Sequence, residues 1–172
     1  MKKHFLVLGL LAAVAVPASA QGLYVFGDVG RSHYKEDIEY FGVDLSANSF
    51  AFGAGYSVND NFSFEAGYHH IGNYSFDDFG DDETLDVTAL EISGVAKYPV
   101  TTEINIYGRL GFGKLTTEIP YFDTKSTYKA FYGVGASYKL SDNVSLRAEY
   151  NRYEEWYHAV ASTLSFGAVY SF

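Results

Sequence analysis

From residue 22 onward, apolar and polar side chains alternate with a period of two, segment after segment. Successive side chains of a strand point to opposite faces, so this period predicts strands with one apolar and one polar face. Eight strands are expected, at about 22–34, 48–58, 61–74, 85–98, 103–116, 127–140, 143–155 and 160–172. Each offers an uncharged row. Leu23, Val25, Gly27 and Val29 form the first; Phe50, Phe52, Ala54, Tyr56 and Val58 the second; Phe62, Phe64, Ala66, Tyr68 and His70 the third. Leu90, Ile92, Gly94, Ala96 and Tyr98 follow, then Ile104, Ile106, Gly108, Leu110 and Phe112. The last three rows run from Ala130 to Leu140, from Val144 to Tyr150, and through Leu164, Phe166, Ala168, Tyr170 and Phe172.

The connections between these strands alternate in length. Asn59-Asp60, Pro99 to Thr102 and Ser141-Asp142 are short and rich in turn formers. The others read as long loops at roughly 35–47, 75–84, 117–126 and 156–159. Short turns at one end and long loops at the other are the signature of an outer-membrane barrel. The predicted fold is therefore all-β: an eight-stranded antiparallel up-and-down transmembrane β-barrel.

A soluble barrel would turn the apolar rows inward and expose the opposite rows to water. Those opposite rows hold Gly53, Gly55, Gly67, Gly111, Gly113, Gly133, Gly135 and Gly167. Glycine weakens a water-facing strand. A narrow eight-stranded barrel, in contrast, needs small residues inside to make room for large ones. The glycine rows are thus expected inside and the aromatic rows in lipid. Tyr56, Phe62, Tyr68, Tyr98, Tyr138, Tyr150, Tyr170 and Phe172, near the row ends, are expected at the two membrane interfaces.

Composition supports this picture and narrows it. Of 172 residues, 16 are Tyr, 14 are Phe and none is Cys, so there is no disulfide framework or thiol chemistry. The start reads as a secretory leader. Lys2 and Lys3 precede an apolar stretch from Phe5 to Val16, then Pro17-Ala18-Ser19-Ala20. Cleavage is expected after Ala20, leaving 21–172 as the barrel. The apolar stretch is too short to cross a bilayer as a helix. The net charge of −9 argues against nucleic acid as a partner.

Charge also falls on the inward rows. Asp28, Glu65, Glu91 and Glu149 face Lys97, Arg109, Lys139 and Arg147 in number and sign. Charges in a narrow lumen must be paired. An ionic network across the barrel is expected, either filling it rigidly or rearranging to pass small ions.

Several stretches resemble the OmpA-type outer-membrane barrel family. They are Ala51-Phe52-Gly53-Ala54-Gly55-Tyr56-Ser57-Val58-Asn59 with Phe64-Glu65-Ala66-Gly67-Tyr68; Tyr98-Pro99 with Ile106-Tyr107-Gly108-Arg109-Leu110-Gly111; Gly133 to Tyr138; and Arg147-Ala148-Glu149-Tyr150. The resemblance covers the chain after the leader. It implies an ionic gate, with Glu65 and Arg147 at gate positions and Arg109 and Glu149 as further interior charges. Lys97 is displaced by two residues from the family's gate lysine. Ser137 stands where the family often has glutamate, and Asp28 where it has a basic residue. The resemblance also implies a peptidoglycan-binding domain in full-length members, which is not expected here because the eighth strand runs to Phe172. The alternating ending from Leu164 to Phe172 resembles the family's terminal signal for the membrane assembly machinery.

Other clusters carry weaker chemistry. Asp77, Asp78, Asp81, Asp82 and Glu83 form an acidic loop without calcium-loop spacing, and Trp156 stands in a polar, aromatic loop; both are candidate loop contacts. His69-His70 and Ser32-His33 are strand neighbours on opposite faces, so neither pair builds a metal site or a catalytic dyad. The expected protein is therefore not an enzyme and needs no cofactor or metal. It is expected to be a monomer whose partners are outer-membrane lipid, lipopolysaccharide and the assembly machinery. Its expected role is structural, with weak porin-like ion passage; the alternative is surface binding or adhesion through the loops.

Overall fold

A computed structural model describes residues 22–38, 41–76, 83–118, 125–154 and 159–172. The leader and its cleavage site lie outside them. The elements are β1 (Leu23–Ile38), β2 (Phe41–Ser57), β3 (Phe62–Phe76), β4 (Glu83–Pro99), β5 (Ile104–Glu118), β6 (Lys125–Lys139), β7 (Val144–Tyr153) and β8 (Ala159–Ser171). Each strand pairs antiparallel with the next, and β8 pairs with β1 to close the barrel. Around the closed part of the barrel this leaves no strand edge facing hydrocarbon, where unpaired amides would cost several kcal/mol each; above it, residues 41–49 of β2 pair with β1 alone.

Three turns at one end share a construction. Val58, Val100 and Leu140 each donate a backbone hydrogen bond to the carbonyl four residues on, at 2.8–2.9 Å. In each, a side-chain oxygen caps the returning strand: Asn59 accepts from Phe62, Thr101 from Ile104 and Ser141 from Val144. These local polar residues fix the turns without tertiary help.

The opposite end differs from the sequence reading. The stretch 35–47, expected as a loop, is ladder: β1 and β2 stay paired to Ile38↔Phe41, leaving two residues between them. The connections expected at 75–84 and 117–126 shrink to 77–82 and 119–124. Phe41, Val43, Leu45 and Ala47 alternate with Gly42, Asp44 and Ser46, but in the opposite phase to Phe50, Phe52 and Ala54. The period therefore breaks between 47 and 50 while the backbone ladder continues. One irregularity also escapes a period-two reading: register slips between His70 and Gly72 opposite β4, making Ile71 the extra residue of a bulge.

The apolar rows face outward. Val29, Phe52, Phe64, Leu90, Ile92, Leu110, Phe112, Val134 and Phe166 are all exposed, while the glycine rows face the lumen. Inward glycines provide floors for large inward rings. A Cβ on Gly53 would lie 2.6 Å from the Phe26 ring and 2.7 Å from Gly67 Cα; one on Gly111 would lie 2.7 Å from the Phe131 ring. Gly55 and Gly135 likewise underlie Tyr24 and Tyr107.

Candidate functional site

The lumen holds one continuous cluster of buried charge. Two arginines organise it. Arg147 on β7 reaches across to β1, where its Nε donates to Asp28 Oδ1 at 2.7 Å and its Nη2 pairs with Asp28 Oδ2. Its Nη1 donates to Glu65 on β3 at 3.2 Å. Arg109 on β5 donates to Glu149 at 2.9 Å, to Ser93 at 2.8 Å and to Glu91 at 3.5 Å. It also lies 3.6 Å from Glu65, which therefore ties the two guanidiniums together.

Among the described residues, the buried acids of this cluster outnumber the buried guanidiniums four to two. Neutral donors help to carry the excess. Tyr24 donates to Glu65 at 2.8 Å, Asn151 to Glu149 at 2.6 Å, and the Tyr153 hydroxyl to Glu91. His69 Nδ1 lies 2.7 Å from the Tyr153 hydroxyl and 3.3 Å from Glu91. With the hydroxyl proton directed at Glu91, the His69 Nδ1–H is the donor to the hydroxyl oxygen. Rings flank the cations: Arg147 sits 4.1 Å from the Phe26 centroid and Arg109 5.1 Å from that of Phe131.

The eight interior charges read from the sequence divide. Asp28, Glu65, Glu91, Arg109, Arg147 and Glu149 meet in the cluster. Lys97 is half-buried at the turn end, with its Nζ 5.0 Å from the Tyr24 ring centroid. Lys139 requires a correction. It stands at the turn end with its side chain 47% exposed, and donates to Asp142 at 2.9 Å rather than joining the lumen cluster. The cause is position: Lys139 is the last residue of β6, three residues from an acid in the turn. That hydrogen bond and the nearby ammonium lower the Asp142 carboxyl below its usual range.

Sequence reasoning did not pick out Tyr24, Phe26, Tyr107, Phe131, Tyr153, His69 or Asn151 as lumen residues that support the cluster. Their signal was present, because each shares phase with an inward glycine or charge on its own strand. A second layer was missed as well. Toward the loop end Ala47, Ile71, Val87, Ala89, Leu115, Phe131, Tyr153 and Ala161 form a buried apolar cluster inside the barrel. Ile71 and Phe131 are 0% exposed and Leu115 1%. Charge and hydrocarbon thus follow one another along the lumen, joined by Phe131 and Tyr153, which contact both.

The remaining candidates are placed as follows. Leu164, Phe166, Ala168, Tyr170 and Phe172 form one row at the end of the chain, and Tyr170 and Phe172 pack edge to face at 5.2 Å. Asp77, Asp78, Asp81, Asp82 and Trp156 lie outside the described residues, and Glu83 opens β4. His69 points inward, while His70 stacks on Phe50 at 4.9 Å and lies 3.4 Å from Asp86. Among the described residues no cluster of His, Cys, Asp and Glu has the arrangement of a metal site.

Solved structures share this architecture. The chain is similar to Neisserial surface protein A (NspA), with 19% identity over 88% of this chain and 98% of that one, at a TM-score of 0.67. It is similar to OprG of Pseudomonas aeruginosa, with 12% identity over 89% and 97% of the two chains and a TM-score of 0.64. It also resembles Ail, the attachment invasion locus protein of Yersinia pestis, solved with the heparin analogue sucrose octasulfate; identity is 17% over 88% and 100%, with a TM-score of 0.58. No curated protein matches the sequence. The outer membrane protein β-barrel domain model matches residues 5–172. With the closed barrel, lipid-facing aromatic rows and charged lumen, that match makes the chain a member of the outer-membrane β-barrel family, located in the bacterial outer membrane.

Proposed function

We propose that this protein is a sealed structural barrel of the outer membrane, in which the charged lumen is a brace and not an open path. The observation that carries this reading is the pair of barriers in series. An ion entering from the turn end meets guanidiniums already neutralised by carboxylates. Beyond them Ile71, Leu115 and Phe131 crowd the lumen, and the few polar groups beside them, such as the buried hydroxyls of Ser32, Thr117 and Thr163, are too sparse to replace a hydration shell. Porin-like passage would require both layers to open together. No catalytic role is proposed, because the buried titratable groups of the cluster are committed to one another and Ser32 and His33 face opposite sides of β1.

Planar bilayer recordings test the reading. The wild type is expected to show no steps above background. Arg147→Ala and Glu65→Ala, which open only the ionic layer, are expected to stay closed as well. Discrete conductance steps from the wild type would overturn the proposal.

One observation favours attachment through the loops as a second reading. β1 and β2 remain paired to Ile38↔Phe41, well past Val29 and Phe50 of the lipid-facing rows, and so hold their connection on a stiff ribbon. The structurally similar Ail has been solved with a heparin analogue. Replacing 35–44 by a short Gly-Ser turn, alone and together with 77–82 and 155–158, would test this reading. Loss of cell attachment with the barrel still folded would support it, and unchanged attachment would reject it.

A further inference from the structure

The lipid-facing rows are uncharged through the middle of the barrel, yet at the loop end one seam turns basic. Arg152 on β7 pairs with Ser162 on β8, and Ser162 pairs with His33 on β1. One step toward the membrane, Arg31 on β1 pairs with Leu164 on β8. The two arginines therefore flank β8 diagonally. Two strand spacings and one two-residue step separate their Cα atoms by about 12 Å. Both face outward and are exposed, as is His33, whose ring nitrogen lies 3.1 Å from Ser46 Oγ on β2. Among the described residues no carboxylate forms an ion pair with either arginine; Glu154, two residues beyond Arg152 on the same row, is the nearest acid in sequence. Directly below lie Val29, Leu164 and Phe166, all exposed and apolar. A surface depression of about 310 Å³ is lined by Arg152 together with Leu110, Ala130 and Tyr132, and Glu154 stands at its margin.

We infer that this seam is a docking site for a phosphorylated glycolipid of the outer leaflet. Charge complementarity argues for the occupant. In a chain of net charge −9, two arginines are kept on the outer surface at the end of the apolar belt. A cation is least costly on a lipid-facing strand near the interface, and a guanidinium fork matches phosphate oxygens bidentately. The Ser162 and Ser46 hydroxyls and the Asn48 amide supply neutral contacts for sugar hydroxyls on the same surface. The apolar residues below would receive the acyl chains, so a lipid fits the surface better than a free phosphate.

The test uses the folded barrel in phosphatidylcholine nanodiscs doped with diphosphorylated lipid A. Native mass spectrometry after release reads the lipid that stays bound. The wild type is expected to retain lipid A, and the Arg31→Gln/Arg152→Gln double variant to retain at least tenfold less. Lys114→Gln, on β5 across the barrel, is expected to behave as wild type. A heat-dependent gel shift checks that all three are folded. Equal retention by the double variant, equal loss from Lys114→Gln, or equal retention of dephosphorylated lipid A would each overturn the proposal. Displacement by millimolar inorganic phosphate would overturn its commitment to a lipid.

Discussion

At the scale of single residues, the lumen depends on pairs of unequal partners. A glycine on one strand accommodates a ring from another, so the same residue type has opposite value on the two faces. Gly53→Val would drive a side chain into Phe26 and the Gly67 backbone, whereas a Cβ at Gly94 meets nothing within 4 Å. Gly53→Val is expected to abolish the heat-dependent gel shift of a folded barrel, and Gly94→Val to preserve it. The arginines follow a related rule. Removing one partner of a buried ion pair strands the others, at a cost of about 3–5 kcal/mol. Arg147→Ala strands Asp28, while Glu65 keeps Tyr24 and Arg109, and should lower the unfolding free energy by about that amount, as measured by urea titration in vesicles. The inward placement of these charges was readable from strand phase alone. Which acid met which arginine was not, because Asp28 and Arg147 meet through the strand register, each opposite Gly167 of β8, and phase says nothing about register.

At the scale of strands, the lipid-facing rows were legible from end to end because each reads as a simple alternation. Charge on these rows should cost according to depth. Leu110→Arg places a cation in the belt and should cost about 2–4 kcal/mol near the midplane, whereas Arg31 and Arg152 stand at the rim, where the cost falls to about 0–1 kcal/mol. Unfolding titrations of Leu110→Arg beside wild type check the size of this penalty. The strand ends were less legible. Apolar positions in 41–47 run out of phase with the lipid-facing row that follows, and only the ladder shows 35–38 and 41–47 to be strand. The bulge at Ile71 was hidden for a similar reason: it moves a residue into the apolar plug without altering local composition.

At the scale of the whole molecule, the sealed barrel proposed above is testable on the refolded protein. If the apolar layer is the tighter seal, opening the ionic layer alone will leave the bilayer silent. Combining Arg147→Ala with Leu115→Ala should then give the first measurable current; silence from this pair would place the seal elsewhere. The plug was the least legible part of the site. Ile71, Val87 and Leu115 occupy inward positions where a polar lumen was expected, and only their mutual burial identifies them as a stopper.

The ion pair between Asp28 and Arg147 joins residues 119 positions apart, on the first and seventh strands. No single hairpin contains both, and in an open sheet the two strands stand six strand positions apart, too far to meet. Until the first and last strands meet, the guanidinium of Arg147 must stay hydrated. An open, partly inserted sheet therefore carries a water-filled cleft that only ring closure expels. Insertion into the bilayer and sealing of the lumen should consequently occur as one concerted event, with closure of the β1–β8 seam as its last step.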